Sequence, residues 1–270
     1  MGFDEFLKEV SLLFGLQWRR FRRKGIKRKL ERRIGEIGAS NFQDYLHRIR
    51  TDPEEQKHLS RILTVTISRF FRDKTVFQTI GEAILPALLK EKERKDLRVW
   101  SIGCASGEEP FSVGLLWKQK FKKDWPKICL SIFATDIDGL LLDRAREGRY
   151  KKSSLAEVPP EVLREFFEVQ NDFYVLDQVI REGVEFKEHD ILREEPFSEM
   201  DIIFCRNLVF TYFSKSTQVE ILKKIASSLK EEGYLVIGKD ESLPLTYPTL
   251  FIPIFLKDRI YQKFNPGVPG

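Results

Sequence analysis

The sequence is poor in the residues that build disulfide frameworks and metal centres, with three cysteines and three histidines in 270 residues. Cys104, Cys129 and Cys205 are far apart and form no CxxC pair. Neither they nor the histidines have the spacing of a zinc site. These absences exclude a small disulfide-stapled scaffold, and they predict a reducing compartment and a mechanism without a metal.

Long apolar runs are also missing. No stretch approaches the roughly 18 residues of a membrane-spanning helix, and the start, MGFDEFLKEV, lacks the apolar core of a signal peptide. A composition of 42% hydrophobic and 32% charged residues is typical of a globular protein and excludes a disordered one. We therefore expect a cytoplasmic protein with no membrane insertion, folded as one large domain or as a small domain plus a larger one.

Acidic residues are scarce in one segment. In total, 46 basic and 41 acidic residues give a net charge of +5, but residues 19–33 hold ten basic residues and the single acid Glu31. Subtracting this local excess of nine from +5 leaves −4 for the rest of the chain. Apolar residues recur at helical spacing there, which predicts an amphipathic helix with a basic face, its apolar stripe being Ile26, Leu30, Ile34 and Ile37.

The secondary-structure pattern changes along the chain. Helical periodicity alone extends from Phe3 to about Phe77, with helices expected near 41–50 and 53–68. Short apolar runs then alternate with helical patterns, which is typical of a doubly wound parallel sheet. The expected strands are 98–102, 130–135, 201–205 and 234–237, and the expected helices are 109–121, 139–147, 160–167 and 216–230, the last ended by Gly233.

Two stretches depart from this alternation. Residues 173–187 have the pattern of two or three short antiparallel strands inserted after a helix. The C-terminal FIPIFLKDRIYQKF is typical of a hairpin with Lys257 and Asp258 at its turn. A parallel sheet closed by an antiparallel hairpin is common among S-adenosylmethionine-dependent methyltransferases.

The turn after the first expected strand reads GCASGEEP, from Gly103 to Pro110. Its small residues let a ligand approach the backbone, although an ordinary tight turn would have the same composition. The adjacent acids Glu108 and Glu109 would repel the pyrophosphate of a dinucleotide, whereas they suit a ligand with a sulfonium and an ammonium group. The alternative is that these acids only stabilise the helix dipole, and Glu108 in particular.

Polar side chains follow two further strands. Asp136 ends the second expected strand, where a carboxylate can accept hydrogen bonds from the ribose of an adenosine ligand. Asp138 is interpreted as the N-cap of the next helix. Arg206 and Asn207 follow the third strand, at the edge where doubly wound folds bind ligands. Tyr212 is within reach of the same crevice, with a buried structural tyrosine as the alternative.

Taken in order, TISRFFR at 66–72, SIGCASGEEPFS, ATDID and FCRN followed by YF make a chain that resembles the CheR-type chemotaxis receptor methyltransferases. The resemblance covers nearly the whole chain. It implies a Rossmann-like α/β methyltransferase domain at 77–270, with a small antiparallel β insert at about 167–187, and an all-α domain at 1–76. It also implies S-adenosylmethionine as cofactor and methyl ester formation on receptor glutamates.

The resemblance assigns roles to residues of this chain. The two nearest the transferred methyl group would be Arg72 and Tyr212. The cofactor contacts implied by the family, together with the first glycine of the turn, would be Thr66, Ser68, Arg72, Gly103, Glu109, Asp136, Asp190, Ile191, Arg206 and Asn207. The basic helix would dock on the cytoplasmic helical domain of chemoreceptors through Arg19, Arg22, Arg23, Lys29 and Arg33. We expect a monomer that binds no nucleic acid.

Some positions depart from the family pattern. Thr66 and Asp190 stand where asparagine is usual, and Ser68 stands where threonine is usual. The segment after CRN is one residue longer than the common form, so the alignment of Tyr212 depends on where that residue is placed. The sequence at 238–241, GKDE, also differs from the usual glycine-histidine-serine-glutamate.

A glutamate acceptor has a pKa of about 4.3 and needs no general base, which agrees with a chain that we read as having no histidine near a motif. Other acceptors stay open, since ten clustered cations would also bind RNA. A module that binds the cofactor without turnover is a third reading. The insert is a few residues shorter than in members that bind a receptor's C-terminal peptide, which favours recognition without such a tether.

Overall fold

A computed structural model describes residues 1–64, 68–90, 95–245 and 249–264 of the protein. The chain forms two compact units, Met1–Thr66 with Leu208–Glu220, and Ile67–Asn207 with Ile221–Gly270. Residues 67–76, which the sequence analysis placed in the N-terminal domain, therefore lie in the larger unit. Within the described ranges, no helix has both the length and the apolar character needed to span a membrane.

The smaller unit is helical. In the larger unit, that unit's own helices cover the sheet. A 3-10 turn, Trp18–Phe21, precedes the second helix, and a π-helical turn, Ile80–Ile84, joins the fifth to the sixth. In chain order, the helices of the described residues are α1 (Phe3–Phe14), α2 (Lys24–Glu36), α3 (Phe42–Thr51), α4 (Pro53–Leu63), α5 (Lys74–Thr79), α6 (Leu85–Leu89), α7 (Glu108–Lys120), α8 (Gly139–Glu147), α9 (Pro160–Phe166), α10 (Gln178–Glu182), α11 (Val209–Tyr212) and α12 (Lys215–Ser228).

The strands belong to the larger unit. They are β1 (Asp96–Ile102), β2 (Cys129–Asp136), β3 (Arg149–Tyr150), β4 (Phe167–Gln170), β5 (Phe173–Leu176), β6 (Val184–Glu188), β7 (Met200–Cys205), β8 (Leu229–Ile237), β9 (Phe251–Phe255) and β10 (Ile260–Lys263).

In the smaller unit, the predicted amphipathic helix is confirmed as α2. Ile26, Leu30 and Ile34 are buried, while Ile37 caps the C-terminus of the helix and packs against the same core. Burying one apolar stripe leaves the basic residues of α2 on its outer side. The side chain of Asn41 accepts backbone hydrogen bonds that start α3, as Asp52 does for α4.

The larger unit is a seven-stranded sheet in the order β6-β2-β1-β7-β8-β10-β9. The first five strands are parallel neighbours, and β10 pairs antiparallel with both β8 and β9, which confirms the predicted closing hairpin. All six residues of β7 are buried and five of them are apolar, as expected of a parallel strand covered on both faces. The sixth, Asp201, accepts from the N–H of Arg98 and from Lys230 Nζ. The chain reverses its direction of winding between β1 and β7, so a crevice opens at their carboxyl ends.

Two sequence-based expectations were wrong in detail. The antiparallel insert is a separate three-stranded sheet in the order β3-β5-β4, whereas β6, which we placed in the insert, runs parallel to β2 at the edge of the main sheet. Gly233 does not end α12, because β8 already begins at Leu229. A Cβ at Gly233 would lie 3.0 Å from the Lys230 carbonyl oxygen, and the pairing of β7 with β8 is irregular there. The glycine thus accommodates a bulge inside a strand.

Candidate active site

In the turn between β1 and α7, every second residue from Gly103 to Gly107 has a left-handed backbone conformation. Gly103, Ala105 and Gly107 have φ values of 72°, 49° and 85°. A Cβ at Gly107 would lie 2.9 Å from the Cβ of Ala145, so the site requires glycine for space as well as for conformation. This turn directs the backbone amide of Ala105 toward Asp136 at the end of the neighbouring strand, and the N–H donates to Asp136 Oδ2 at 2.9 Å.

Asp136 is fixed by two backbone amides. Its Oδ1 accepts from the N–H of Asp138 at 3.0 Å, while its Oδ2 is held by the turn. Burial raises the pKa of Asp136 above its ordinary value, although backbone hydrogen bonds from Asp138 and Ala105 oppose that rise. Each carboxylate oxygen keeps a lone pair for a further donor such as a ribose hydroxyl. The carboxylate of Asp138 accepts from the N–H of Leu140, which confirms the predicted N-cap of α8.

Glu109, in the first turn of α7, pairs with Arg206 beyond β7. Glu109 Oε1 accepts from the hydroxyl of Ser101 at 2.7 Å, and its Oε2 accepts from Arg206 Nη1 at 3.1 Å. The Arg206 side chain is only 3% exposed and that of Glu109 12%. Arg206 Nη2 also donates to the backbone carbonyl of Arg72 at 3.0 Å. Three residues predicted from three separate motifs are therefore brought together.

One further member of this cluster was missed. Arg206 Nη2 donates to Asp73 Oδ2 at 2.5 Å. Asp73 follows Arg72 directly in the sequence, but nothing in the local pattern indicates that its carboxylate neutralises a buried arginine 133 residues away. Burial of the arginine, which creates the need for a second acid, becomes visible only in the folded chain.

Glu108, beside Glu109, is buried as well, with 5% of its surface exposed. Burial raises the pKa of Glu108 to about 7, although its own backbone N–H and the side chain of Ser68 hydrogen-bond to it and oppose the rise. Its Oε2 has no hydrogen-bond partner among the described residues. Ser68, which was predicted to contact a cofactor, therefore hydrogen-bonds to Glu108. Glu108 itself is a buried carboxyl group and not an exposed acid at the helix N-terminus.

The predicted residues Asp190 and Ile191 follow β6 at the same edge of the sheet. The backbone N–H of His189 donates to the carbonyl of Asp136 at 3.1 Å, which places Asp190 next to the end of β2. Asp190 Oδ1 accepts from the N–H of Leu192, and Ile191 is buried. The geometry therefore brings both residues to the carboxyl edge.

His189 corrects our reading that no histidine lies near a motif, because it directly precedes Asp190. Its ring is buried edge-on against Trp100, with the ring centroids 5.7 Å apart. The ring Nε2 lies 3.0 Å from the carbonyl oxygen of Glu195, a contact that assigns the proton to Nε2. Packed in this way, the ring belongs to the core, and its Nδ1 is buried without a hydrogen-bond partner among the described residues.

Asn207 has a left-handed backbone, with φ of 58°. Its N–H donates to Glu241 Oε2 at 2.8 Å, and the N–H of Gly238 donates to the same oxygen at 2.7 Å. A Cβ at Gly238 would lie 2.7 Å from both Asn207 Nδ2 and Glu241 Oε2, so glycine is required where β8 ends. Glu241 was not predicted as a site residue, although it stands at the glutamate of the family pattern that 238–241 was compared with. Its contact depends on β7 and β8 being neighbours.

Two predicted residues are not placed at this edge. Thr66 lies outside the described residues. Tyr212, at the end of α11, belongs to the smaller unit, where its ring stacks on Phe21 with centroids 5.8 Å apart and an interplanar angle of 12°. Its carbonyl accepts from the N–H of Gln17 at 2.8 Å. The catalytic role of Tyr212 stays a prediction.

The predicted docking residues differ in their surroundings. Arg19, Arg23 and Lys29 are exposed, but only Lys29 lies in α2, because Arg19 belongs to the preceding 3-10 turn and Arg23 stands at the N-cap position of α2. Arg22 is also exposed and forms an ion pair with Asp4 at 3.0 Å. In contrast, Arg33 forms an internal ion pair. Its Nε and Nη2 donate to the two carboxylate oxygens of a buried glutamate, Glu55, at 3.0 and 2.7 Å.

The donor set at the carboxyl edge suits S-adenosylmethionine. Asp73 and Glu109 pair with Arg206, and Asp136 adds a third carboxylate at the same edge. Carboxylates in these positions oppose a pyrophosphate and favour a sulfonium with an ammonium group. The Asp136 carboxylate, held by two amides, matches the two hydroxyls of a ribose. The residues present therefore fit the cofactor, and Glu109 and Asp136 are the ones that would hold it.

Comparison with known proteins agrees with this chemistry. The family model of the CheR methyltransferase all-alpha domain matches residues 1–64, and that of the CheR methyltransferase SAM binding domain matches residues 66–260. A chemotaxis protein methyltransferase of Borreliella burgdorferi is 29% identical over 251 residues, which cover 89% of this chain and 88% of that protein.

Two further relatives extend the comparison. Chemotaxis protein methyltransferase 2 of Vibrio cholerae is 28% identical over 273 residues, covering 98% of this chain and 92% of that protein. An uncharacterized 104.1 kDa protein of Rhodobacter capsulatus is 30% identical over 245 residues, covering 90% of this chain, which spans only 25% of that longer protein. With both family models matched in sequence order, the chain belongs to the CheR family of S-adenosylmethionine-dependent methyltransferases.

Proposed function

We propose that the protein transfers a methyl group from S-adenosylmethionine to glutamate side chains of chemoreceptors. The observation that carries this proposal is the joined cluster of Arg72, Glu109 and Arg206 at the carboxyl edge, in a chain that matches both CheR domains. Relatives named chemotaxis protein methyltransferase align with most of its length, which supports a chemotaxis substrate.

A glutamate acceptor suits the chemistry of this site. Its carboxylate, with a pKa of about 4.3, is ionised at neutral pH and attacks without a general base. When bound, S-adenosylmethionine supplies an electrophilic methyl group, which leaves a neutral thioether behind. The protein then has to align the acceptor carboxylate with the methyl group and to exclude other nucleophiles. We propose that Arg72 orients the acceptor carboxylate. The catalytic role of Tyr212 is likewise a proposal, which rests on the resemblance to the family.

Exposed basic residues of the 3-10 turn Trp18–Phe21, of the segment that follows it and of α2 provide the proposed receptor contact. Arg19, Arg22, Arg23 and Lys29 are exposed on one segment with a strong excess of positive charge. A glutamate-rich helical bundle is complementary to such a face, and attraction between the two would speed encounter. Arg33 we assign to internal structure, given its pairing with Glu55. In this proposal the protein acts as a cytoplasmic monomer that binds no nucleic acid.

The acceptor is tested by the alkali lability of the product. The protein is incubated with methyl-tritiated S-adenosylmethionine and a purified cytoplasmic fragment of a chemoreceptor. We expect label on the fragment that base releases as volatile methanol, since only methyl esters hydrolyse so readily. Alkali-stable label, or label on added RNA, would assign another acceptor. Tight cofactor binding with no transfer to any acceptor would favour a regulatory module.

Arg72 is tested in the same assay. Arg72→Ala is expected to reduce kcat by about 100-fold, the order of loss expected when a reacting group is misplaced by about 1 Å. Arg69→Ala, which removes an exposed arginine three residues earlier, is the matched control and should turn over normally. Normal turnover by Arg72→Ala would contradict the proposed role.

A further inference from the structure

The guanidinium of Arg206 is the most deeply buried cation of the carboxyl edge, with 3% of the side chain exposed. A cation withdrawn from water must be neutralised and hydrogen-bonded, or the fold loses several kcal/mol. Two carboxylates neutralise Arg206 through its terminal nitrogens, while its Nε is buried without a hydrogen-bond partner among the described residues. Arg206 Nη1 donates to Glu109 Oε2 at 3.1 Å, and Arg206 Nη2 donates to Asp73 Oδ2 at 2.5 Å. The two acids come from different elements, the first turn of α7 and the turn before α5.

Asp73 stands at the N-cap position of α5, where an aspartate ordinarily accepts hydrogen bonds from its own helix. Its side chain makes no such capping bond. The carboxylate instead turns away to Arg206, so a local structural role does not account for it. Phe71 and Asp73 also have left-handed backbones, with φ of 52° and 59°. This conformation is unfavourable for phenylalanine and is better tolerated by aspartate.

The same guanidinium nitrogen ties down the chain between these two residues. Arg206 Nη2 donates to the backbone carbonyl of Arg72 at 3.0 Å as well as to Asp73. On the other side of the turn, the N–H of Phe71 donates to the hydroxyl of Ser112 at 2.8 Å. The backbone of Arg72 is therefore held from both sides, and Asp73 supplies the charge that keeps Arg206 in place.

We propose that Asp73 is a positioning residue of the methyl-transfer site, which acts through Arg206 to fix the turn that carries Arg72. The inference rests on the role given to Arg72 in the proposed function. Glu109 also accepts from the hydroxyl of Ser101, at 2.7 Å. The position of Glu109, a proposed cofactor contact, therefore depends less on Asp73 than the position of the Arg72 turn does. Loss of Asp73 should thus affect kcat more than cofactor affinity.

The test compares three substitutions at one position in the full chain. Asp73→Asn removes the charge but tolerates the left-handed backbone, as does Asp73→Gly, which serves if the first variant does not fold. We expect kcat for receptor methylation to fall at least tenfold in both, while the Kd for S-adenosylhomocysteine changes less than threefold. Asp73→Glu, which keeps a carboxylate for Arg206, should recover most of the lost kcat.

The matched control is Asp177→Asn. Asp177 also stands before a helix of the larger unit, but its side chain does cap that helix, accepting from the N–H of Val179 at 2.8 Å. Asparagine caps a helix about as well as aspartate, so kcat and Kd should both stay at their wild-type values.

Hydrogen exchange provides a readout that does not need turnover. In Asp73→Asn, deuterium uptake across residues 70–76 should rise at least threefold, with uptake in β1 unchanged. A wild-type protein that forms no alkali-labile ester would refute the proposed function, and the exchange result would still decide the inference. Unchanged kcat, or a Kd that weakens as much as kcat falls, would overturn the inference, as would unchanged exchange at 70–76.

Discussion

Glu108 is a carboxyl group that folding buries while leaving one oxygen without a hydrogen-bond partner among the described residues. Its pKa is raised from 4.5 to about 7, so the folded chain binds this proton more tightly than the unfolded chain does. Stability should therefore fall as pH rises from 4.5 to 7, by up to about 3 kcal/mol for a shift of this size. Glu108→Gln has no proton to lose, and it should gain stability relative to wild type over the same range.

Urea unfolding at pH 5 and at pH 8 measures this difference. Glu161→Gln is the matched control, since Glu161 also lies in the first turn of a helix but is exposed. The control should show the same difference from wild type at both pH values. A Glu108→Gln variant that behaves like the control would mean that the buried carboxyl is ionised in the folded chain at both pH values.

At the scale of elements, one buried carboxylate joins three helices of the smaller unit. Glu55 of α4 accepts from Arg33 of α2 and from the hydroxyl of Tyr45 of α3, the last at 2.8 Å. Burial raises the pKa of Glu55, but the hydrogen bonds from Arg33 and Tyr45 outweigh it and hold the pKa below its ordinary value. The stabilisation is thus present above pH 4.5 and is lost as pH falls through the lowered pKa.

Arg33→Ala should destabilise the smaller unit by about 3 kcal/mol, because it leaves the Glu55 carboxylate buried without its cation. Arg22→Ala, which breaks only the exposed pair with Asp4, should cost at most about 0.5 kcal/mol. Hydrogen exchange of the amides in α3 and α4 reports the local free energy of opening. Equal protection in the two variants would show that the Glu55 cluster adds no net stability.

The elements also show what sequence can and cannot predict. The strand cores of β1 and β7 were found because burial on both faces gives them continuous apolar runs, and α8 because Asp138 and its capping pattern are local. The strand β6 was misplaced because an edge strand alternates in the same way whether its neighbour is parallel or antiparallel.

Partners distant in sequence were missed for a related reason. The site residues with local signals, such as Glu109 and Arg206, were identified individually, but their mutual contact spans 97 residues. Asp73 and Glu241 were not predicted as site residues, because their contacts depend on residues that the fold places opposite them. Spacing along the chain carries no information about such pairs.

For the whole molecule, the net charge of +5 is unevenly distributed along the chain. Residues 19–33 carry an excess of nine positive charges, and the remainder sums to −4. The carboxylates at the carboxyl edge favour a ligand with positive charge, and the basic segment 19–33 favours an acidic macromolecule. In the proposed function, the two substrates would therefore be attracted to different places. If this uneven distribution steers the receptor, the position of the basic residues should matter more than their number.

Two variants of equal charge separate position from number. Substituting Arg19, Arg23 and Lys29 by glutamate reverses three exposed charges of the basic segment, and substituting Lys118, Lys120 and Lys123 by glutamate reverses three exposed charges of the larger unit. We expect the first variant to raise KM for the receptor fragment about tenfold and to flatten its dependence on salt, with kcat within twofold of wild type. The second should leave KM nearly unchanged. Equal increases in both would mean that the receptor responds to net charge alone. No change in either would place the receptor contact away from the basic segment 19–33.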